Sequence, residues 1–169
     1  MSNFEIAFER TLSHEGGYSD DAHDAGGKTR YGITEKEARA HGYTGDMEDL
    51  PIEFAKNIYR ASYWSPLKCD EMAQEIAEEV FDTGVNMGMR RAALMLQQAI
   101  NVFRTDEIVE DAAIGAKTLD ALADAIKSAG AERVLKMLNV MQGYRYYEIC
   151  RHTPTQKKFI RGWLNRVGV

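Results

Sequence analysis

A chain of 169 residues, 44% hydrophobic and 28% charged, can bury one good core or two small lobes sharing an interface. Its formal charge of −5 argues against nonspecific nucleic-acid binding as the main role. Cys69 and Cys150 lack Cys-x-x-Cys spacing, so they carry no zinc or thioredoxin signal and read as free, mostly buried thiols.

The opening Met1-Ser2-Asn3-Phe4-Glu5 has no basic segment followed by an apolar run, so no signal peptide is read there and synthesis in the cytoplasm is expected. No apolar stretch approaches the ~20 residues that span a bilayer. Asn3 is a fair N-cap, and Phe4, Ala7, Phe8 and Leu12 recur at helical spacing, which predicts a first helix from about Asn3 to Glu15. Gly16-Gly17 and Gly26-Gly27 then bracket an acidic, polar run, and glycine pairs favour hairpin-like turns. A small β-hairpin is therefore expected, ending near Ile33.

That arrangement sets Glu15 on a helix end opposite Asp24 and Thr29 on a turn-rich segment. An inverting glycosidase needs one protonated carboxyl to donate to the leaving oxygen and a second, ionised carboxylate to activate water. Glu15 follows an apolar helix face that could keep it protonated, Asp24 lies in a more polar run, and Thr29 could hold the water. The plain alternative is an exposed glutamate in a last helical turn, followed by ordinary turn-forming aspartates. Asp20, Asp21, His23 and Asp24 cluster, but their spacing fits neither a zinc nor a calcium pattern, so no metal and no cofactor are expected.

Thr34 and Glu37 read as a capping box for a short helix stopped by Gly42, and residues 45–50 read as a loop. Pro51 suits the first turn of a helix with Phe54, Ala55 and Ile58 inward, broken by Pro66. Tyr59, Tyr63 and Trp64 gather near its end, either as a surface on which sugar rings stack or as core residues with polar tips. A long helix from about Asp70 to Asn86 follows. Asp82 and Asn86, four apart, share one face as an internal network or a substrate contact, with Asn86 the better ligand candidate.

Further helices are expected over Arg90–Phe103, after Thr118 as a cap, and from Ala131 to Arg151 with Val134, Leu135, Leu138, Met141 and Tyr144–Tyr147 as the apolar stripe. Thr153-Pro154 opens a last amphipathic helix, with Phe159, Ile160, Trp163, Leu164 and Val167 on one side and Lys157, Lys158, Arg161 and Arg166 largely on the other. From Gly143 to Val169 six cations face only Glu148, a local balance of +5. Such a helix could meet a membrane or anionic wall surface, although docking its apolar face on the core is the ordinary outcome. The fold class is mainly α with a small hairpin after the first helix.

The run Glu15-Gly16-Gly17-Tyr18, followed by Asp24-Ala25-Gly26-Gly27-Lys28-Thr29-Arg30-Tyr31-Gly32-Ile33, resembles the N-terminal signature of glycoside hydrolase family 108, lysozyme-like N-acetylmuramidases that include many phage endolysins. The resemblance implies a lysozyme-like helical fold and Glu15 as catalytic proton donor. The order Glu15, Asp24, Thr29 also resembles the triad of phage T4-type lysozymes, with eight residues between the first two and four between the last two, where that pattern usually has five. Tyr31 in the signature, the Tyr-x-x-x-Tyr-Trp element from Tyr59 to Trp64, and Asn86 in Asp-x-x-Val-Asn-x-Gly are its implied substrate contacts.

Leu96-Gln97-x-Ala99 and Ile114-Gly115-x-x-Thr118-Leu119 resemble a predicted peptidoglycan-binding region, with Asp111-Ala112-Ala113 where the usual motif has Asp-Gly. The resemblance thus implies a catalytic region over 1–90 and a helical wall-binding region over 91–169, packed into one body. It implies hydrolysis of the β-1,4 bond between N-acetylmuramic acid and N-acetylglucosamine. The enzyme would be a monomer acting on bacterial peptidoglycan in the periplasm after holin-dependent release. A lytic transglycosylase using Glu15 alone, or a noncatalytic wall-binding module, are the competing readings.

Overall fold

The computed structural model describes residues 2–12 and 28–168. Helix α1 spans Phe4–Leu12, and Asn3 Oδ1 accepts from the Glu5 amide at 2.9 Å, capping it as expected. Glu15 and Asp24, and both Gly-Gly pairs, lie outside the described residues. Strands β1 (Thr29–Arg30) and β2 (Ile33–Thr34) pair antiparallel, Thr29 opposite Thr34 and Arg30 opposite Ile33. Their two-residue turn is Tyr31-Gly32, with φ of 53° and 74°. Two positive φ values give the turn whose twist matches paired strands.

Thr34 then caps α2 (Glu35–Ala40), its Oγ1 accepting from the Glu37 amide at 3.2 Å. Residues 45–50 are not merely loop: Met47–Asp49 form a 3₁₀ turn that buries Met47. Pro51 is the N-cap of α3 (Ile52–Tyr59) rather than its first helical residue. Helix α3 runs on into a π turn, Arg60–Trp64, closed by Ser65 N–H donating to Arg60 O at 2.9 Å. After a short 3₁₀ turn, α4 (Gln74–Met87) begins later than its apolar pattern suggested, and α5 (Met89–Asn101) follows it at Gly88.

Helices α6 (Ala116–Ala129) and α7 (Ala131–His152) meet at Gly130, whose φ of 90° suits glycine. A 3₁₀ stretch (Pro154–Phe159) and α8 (Ile160–Leu164) close the chain. One continuous cluster of buried side chains runs from Phe4 through Trp64, Phe81 and Leu96 to Leu138. No described helix is long and apolar enough to cross a membrane. Both thiols are free, and burial pushes the Cys69 thiol well above its ordinary range.

Several expectations are corrected by packing. Thr118 does not cap α6; Gly115 holds that position, and buried Thr118 donates back to Ala113 O at 3.3 Å. On α7 the core-facing tyrosine is Tyr146, 1% exposed, while Tyr144 and Tyr147 are 60% and 54% exposed. Tyr146 stacks on Trp163 at 5.2 Å, so the last helix docks partly, leaving Phe159 and Leu164 exposed. Arg166 is not on a solvated basic face: it reaches Asp82 of α4 at 2.7 Å, nearly buried.

The segment between α5 and α6 is stitched by Gln97, which donates to Asp111 Oδ1 at 2.8 Å and accepts from the Ala112 amide at 2.8 Å. Ala112 has a φ of 63°, the left-handed conformation that a glycine would adopt without its Cβ penalty. The turn thus keeps the shape implied by an Asp-Gly motif, with a side chain where none is comfortable. Ala112→Gly is expected to raise unfolding free energy by about 0.5–1 kcal/mol, the strain relieved less the entropy gained by the unfolded chain. Denaturant titration checks this; a destabilised variant would mean the Cβ packs favourably.

Candidate active site

Helix α1 precedes in sequence the segment that holds Glu15 and Asp24, both outside the described residues. Its inner face seats Phe4 and Phe8 in an aromatic cluster. Phe4 lies edge-on to Trp64 and Phe81 at 5.5 and 5.9 Å, and Phe8 edge-on to Tyr59 at 5.4 Å. Both ends of α1 are also tied to α4. Gln74 exchanges hydrogen bonds with the backbone of Asn3, and Arg10 Nη1 meets Glu78 Oε2 at 2.8 Å. Gln74 Nε2 donates to the other Glu78 oxygen at 2.7 Å. The helix has little freedom to slide, so the chain leaves Leu12 from a fixed point.

The hairpin is the next described element in the chain. Thr29 is half-buried on β1, paired with Thr34. Tyr31, also half-buried, sits at the turn, and its carbonyl accepts from the Tyr59 hydroxyl at 2.9 Å. That bond fixes the turn to α3 and holds Tyr31 at its positive φ. Tyr59 itself is 4% exposed, with its ring 5.8 Å from Tyr63.

Tyr63 is half-buried, and burial, with the Glu37 carboxylate nearby, pushes its phenol up. Burial likewise raises the Glu37 carboxyl, opposed by His41. Thr29, Tyr31 and Tyr63 therefore keep partial exposure beside the hairpin and can meet a ligand. Trp64 cannot stack on a sugar in this conformation: it is fully buried, with Nε1–H donating to Asp70 at 2.8 Å. Tyr59 offers a sugar little surface and acts as a strut beneath the turn.

Asn86 belongs to a different assembly. Its side-chain amide donates to the Tyr146 hydroxyl, beside the Asp82–Arg166 pair and the Gln142 Nε2 to Thr83 Oγ1 bond of 3.1 Å. These contacts form a polar seam between α4 on one side and α7 with the C-terminal segment on the other. Within it lies Glu79, 5% exposed, hydrogen-bonded to Thr83. Burial first, then the charge of Asp82, pushes its carboxyl from 4.5 to about 7, against Arg10 and the Thr83 bond.

Sequence reading passed over Glu79, Arg10 and Glu78. A signal existed, since Ile76, Glu79, Val80 and Thr83 recur at i, i+3, i+4 and i+7 on one helix face. An acid on an inward stripe has to be paired or neutralised. Among the described residues no group of three or more histidine, cysteine or acidic side chains is placed to hold a metal ion.

Two variants test this geometry. Tyr59→Phe removes the strut under Tyr31 and is expected to cost about 1 kcal/mol of stability and to slow wall clearing with the fold retained. Unchanged clearing would separate the turn from catalysis. Glu79 makes stability fall as pH rises from 4.5 through about 7, because the unfolded carboxyl ionises first. The full difference is about 3 kcal/mol. Glu79→Gln should flatten that slope in denaturant titrations at several pH values; an unchanged slope would place the titration elsewhere.

Comparison with known proteins agrees with this architecture. The family model described as Glycosyl hydrolase 108 matches residues 8–88, from within α1 to the end of α4. The one described as Predicted Peptidoglycan domain matches residues 91–168. The solved structure of Brucella abortus SagA is similar over 97% of this chain and 88% of its own, at 30% identity and a TM-score of 0.73. The comparison with curated proteins gives no match. With a lysozyme-like helical body, its small hairpin and both matched halves in place, the chain belongs to the glycosyl hydrolase 108 family and is a peptidoglycan hydrolase.

Proposed function

We propose that this enzyme is an N-acetylmuramidase that cleaves the β-1,4 bond between N-acetylmuramic acid and N-acetylglucosamine, in the manner of a phage or prophage endolysin. Glu15 donates a proton to the bridging oxygen. Asp24 activates water on the opposite face of the sugar, and Thr29 orients that water. The observation that carries this reading is the hydrolase match over residues 8–88, which spans all three residues in sequence. The proposed division of labour puts catalysis in residues 1–90 and wall binding in residues 91–169. The enzyme then works as a monomer in the periplasm after release through a holin.

Glu15→Gln should abolish clearing of purified cell wall while circular dichroism and unfolding midpoint stay at wild-type values. Mass spectrometry of wild-type digests should show reducing muramic-acid ends. Anhydro-muramic ends would assign a lytic transglycosylase instead, and a fully active Glu15→Gln would end the assignment of the proton donor.

A further inference from the structure

A concavity lies wholly in the peptidoglycan-domain half. Helices α5 and α7 pack side by side, and the segment after α5 closes one end, enclosing about 630 Å³. That size is within the ~300–1,000 Å³ of small-ligand sites. The floor is flexible and apolar, lined by Met95, Met137 and Met141. Val102, Val140 and Tyr144 stand at its mouth, each more than half exposed. Thioether side chains adapt to small, irregular apolar groups.

The rim carries both signs of charge. Arg91 and Arg145 come from the two helices, while Glu107 and Glu110 come from the closing segment and Glu148 from α7. Some of these are already engaged: Glu110 accepts from Gln98 and Asn101, and Arg145 pairs loosely with Glu148 at 3.5 Å. Arg91 and Glu107 have no ion pair among the described residues. A cation and an anion thus remain available on the lining of an apolar groove.

This combination discriminates among ligands. Three carboxylates set among two arginines on the lining disfavour a ligand that carries negative charge alone, such as an anionic lipid or polymer. A glycan strand takes aromatic platforms, and Tyr144 is the sole aromatic residue of this lining. A peptide with methyl side chains, carboxylates and a free ammonium matches every feature. We propose that the α5–α7 groove binds the stem peptide of peptidoglycan, with Arg91 taking a stem carboxylate and Glu107 the ammonium of its diamino acid. The proposal rests on the peptidoglycan reading of the substrate. It gives the second half of the chain a defined job: holding the peptide branch while the first half cuts the glycan.

The test is calorimetric titration of the full chain with synthetic L-Ala–γ-D-Glu–meso-diaminopimelate–D-Ala, and separately with the peptide-free disaccharide of N-acetylglucosamine and N-acetylmuramic acid. The tetrapeptide should bind, with affinity at least tenfold weaker in Arg91→Glu and in Glu107→Lys. Val140→Asp, at an exposed position, should weaken it similarly without unfolding risk. Glu15→Gln should bind the tetrapeptide as wild type does. No tetrapeptide binding, or binding indifferent to all three groove substitutions, overturns the proposal, even where wall is still cut to reducing ends. Concentration-dependent self-association abolished by the same substitutions also overturns it, by making the groove a contact between copies. Tetrapeptide binding through the groove by an enzyme that releases no reducing ends would keep the groove and remove the muramidase assignment.

Discussion

The placement of α1 on the aromatic cluster is the constraint on which the rest depends. Phe4, Phe8, Tyr59, Trp64 and Phe81 meet mostly edge to face, with centroids 5.4–6.2 Å apart. Five large rings bury much apolar area and, unlike aliphatic side chains, prefer particular angles. They therefore fix the orientation of α1 as well as its burial. The π turn at Arg60–Trp64 belongs to this arrangement. By adding a residue to the helical turn it shifts the angular position of the side chains that follow, and Trp64 ends up inside while Tyr63 keeps an exposed edge.

Beyond that cluster two struts hold the elements that flank residues 13–27 in sequence. The Tyr59 hydroxyl holds the hairpin turn, and Arg10 with Glu78 holds the far end of α1. A hydrolase of this kind needs its acid and its water-activating group separated by a distance set to within a fraction of an ångström. The two struts seat the end of α1 and the Tyr31-Gly32 turn, the described elements on either side of that stretch of sequence.

The second organising feature is the polar seam on α4. Glu79 and Thr83 are buried on the same face as Ile76 and Val80, and the seam runs on to the partly buried Asp82 and Asn86, which meet Arg166 and Tyr146 while Thr83 meets Gln142. Buried charges of this kind add little net stability over an apolar contact, yet breaking one partner is costly. In the observed seating of α7 and the C-terminal segment, Asp82 meets Arg166 and Asn86 meets Tyr146. The buried oxygen Oε1 of Gln142 lacks a partner among the described residues, so the seam is close to but short of full satisfaction.

The sequence by itself determined the mainly helical class, the order of helices, the capping of α1 and α2, the break at Gly130 and the hydrolase signature. Each depends on residues near one another in the chain: periodicity, a cap three positions away, a glycine where φ must turn positive. Tertiary structure alone decided what depends on a partner distant in sequence. Trp64 reads as either a sugar platform or a core residue and is core, because Phe4 and Phe81 enclose it. Arg166 reads like part of a basic solvent face and turns inward, because Asp82 awaits it more than eighty residues earlier. Ala112 occupies a glycine's conformation because Gln97 grips the turn from α5. Local patterns reveal which conformations a segment favours; they do not reveal which distant group makes an unfavourable one the lowest in free energy.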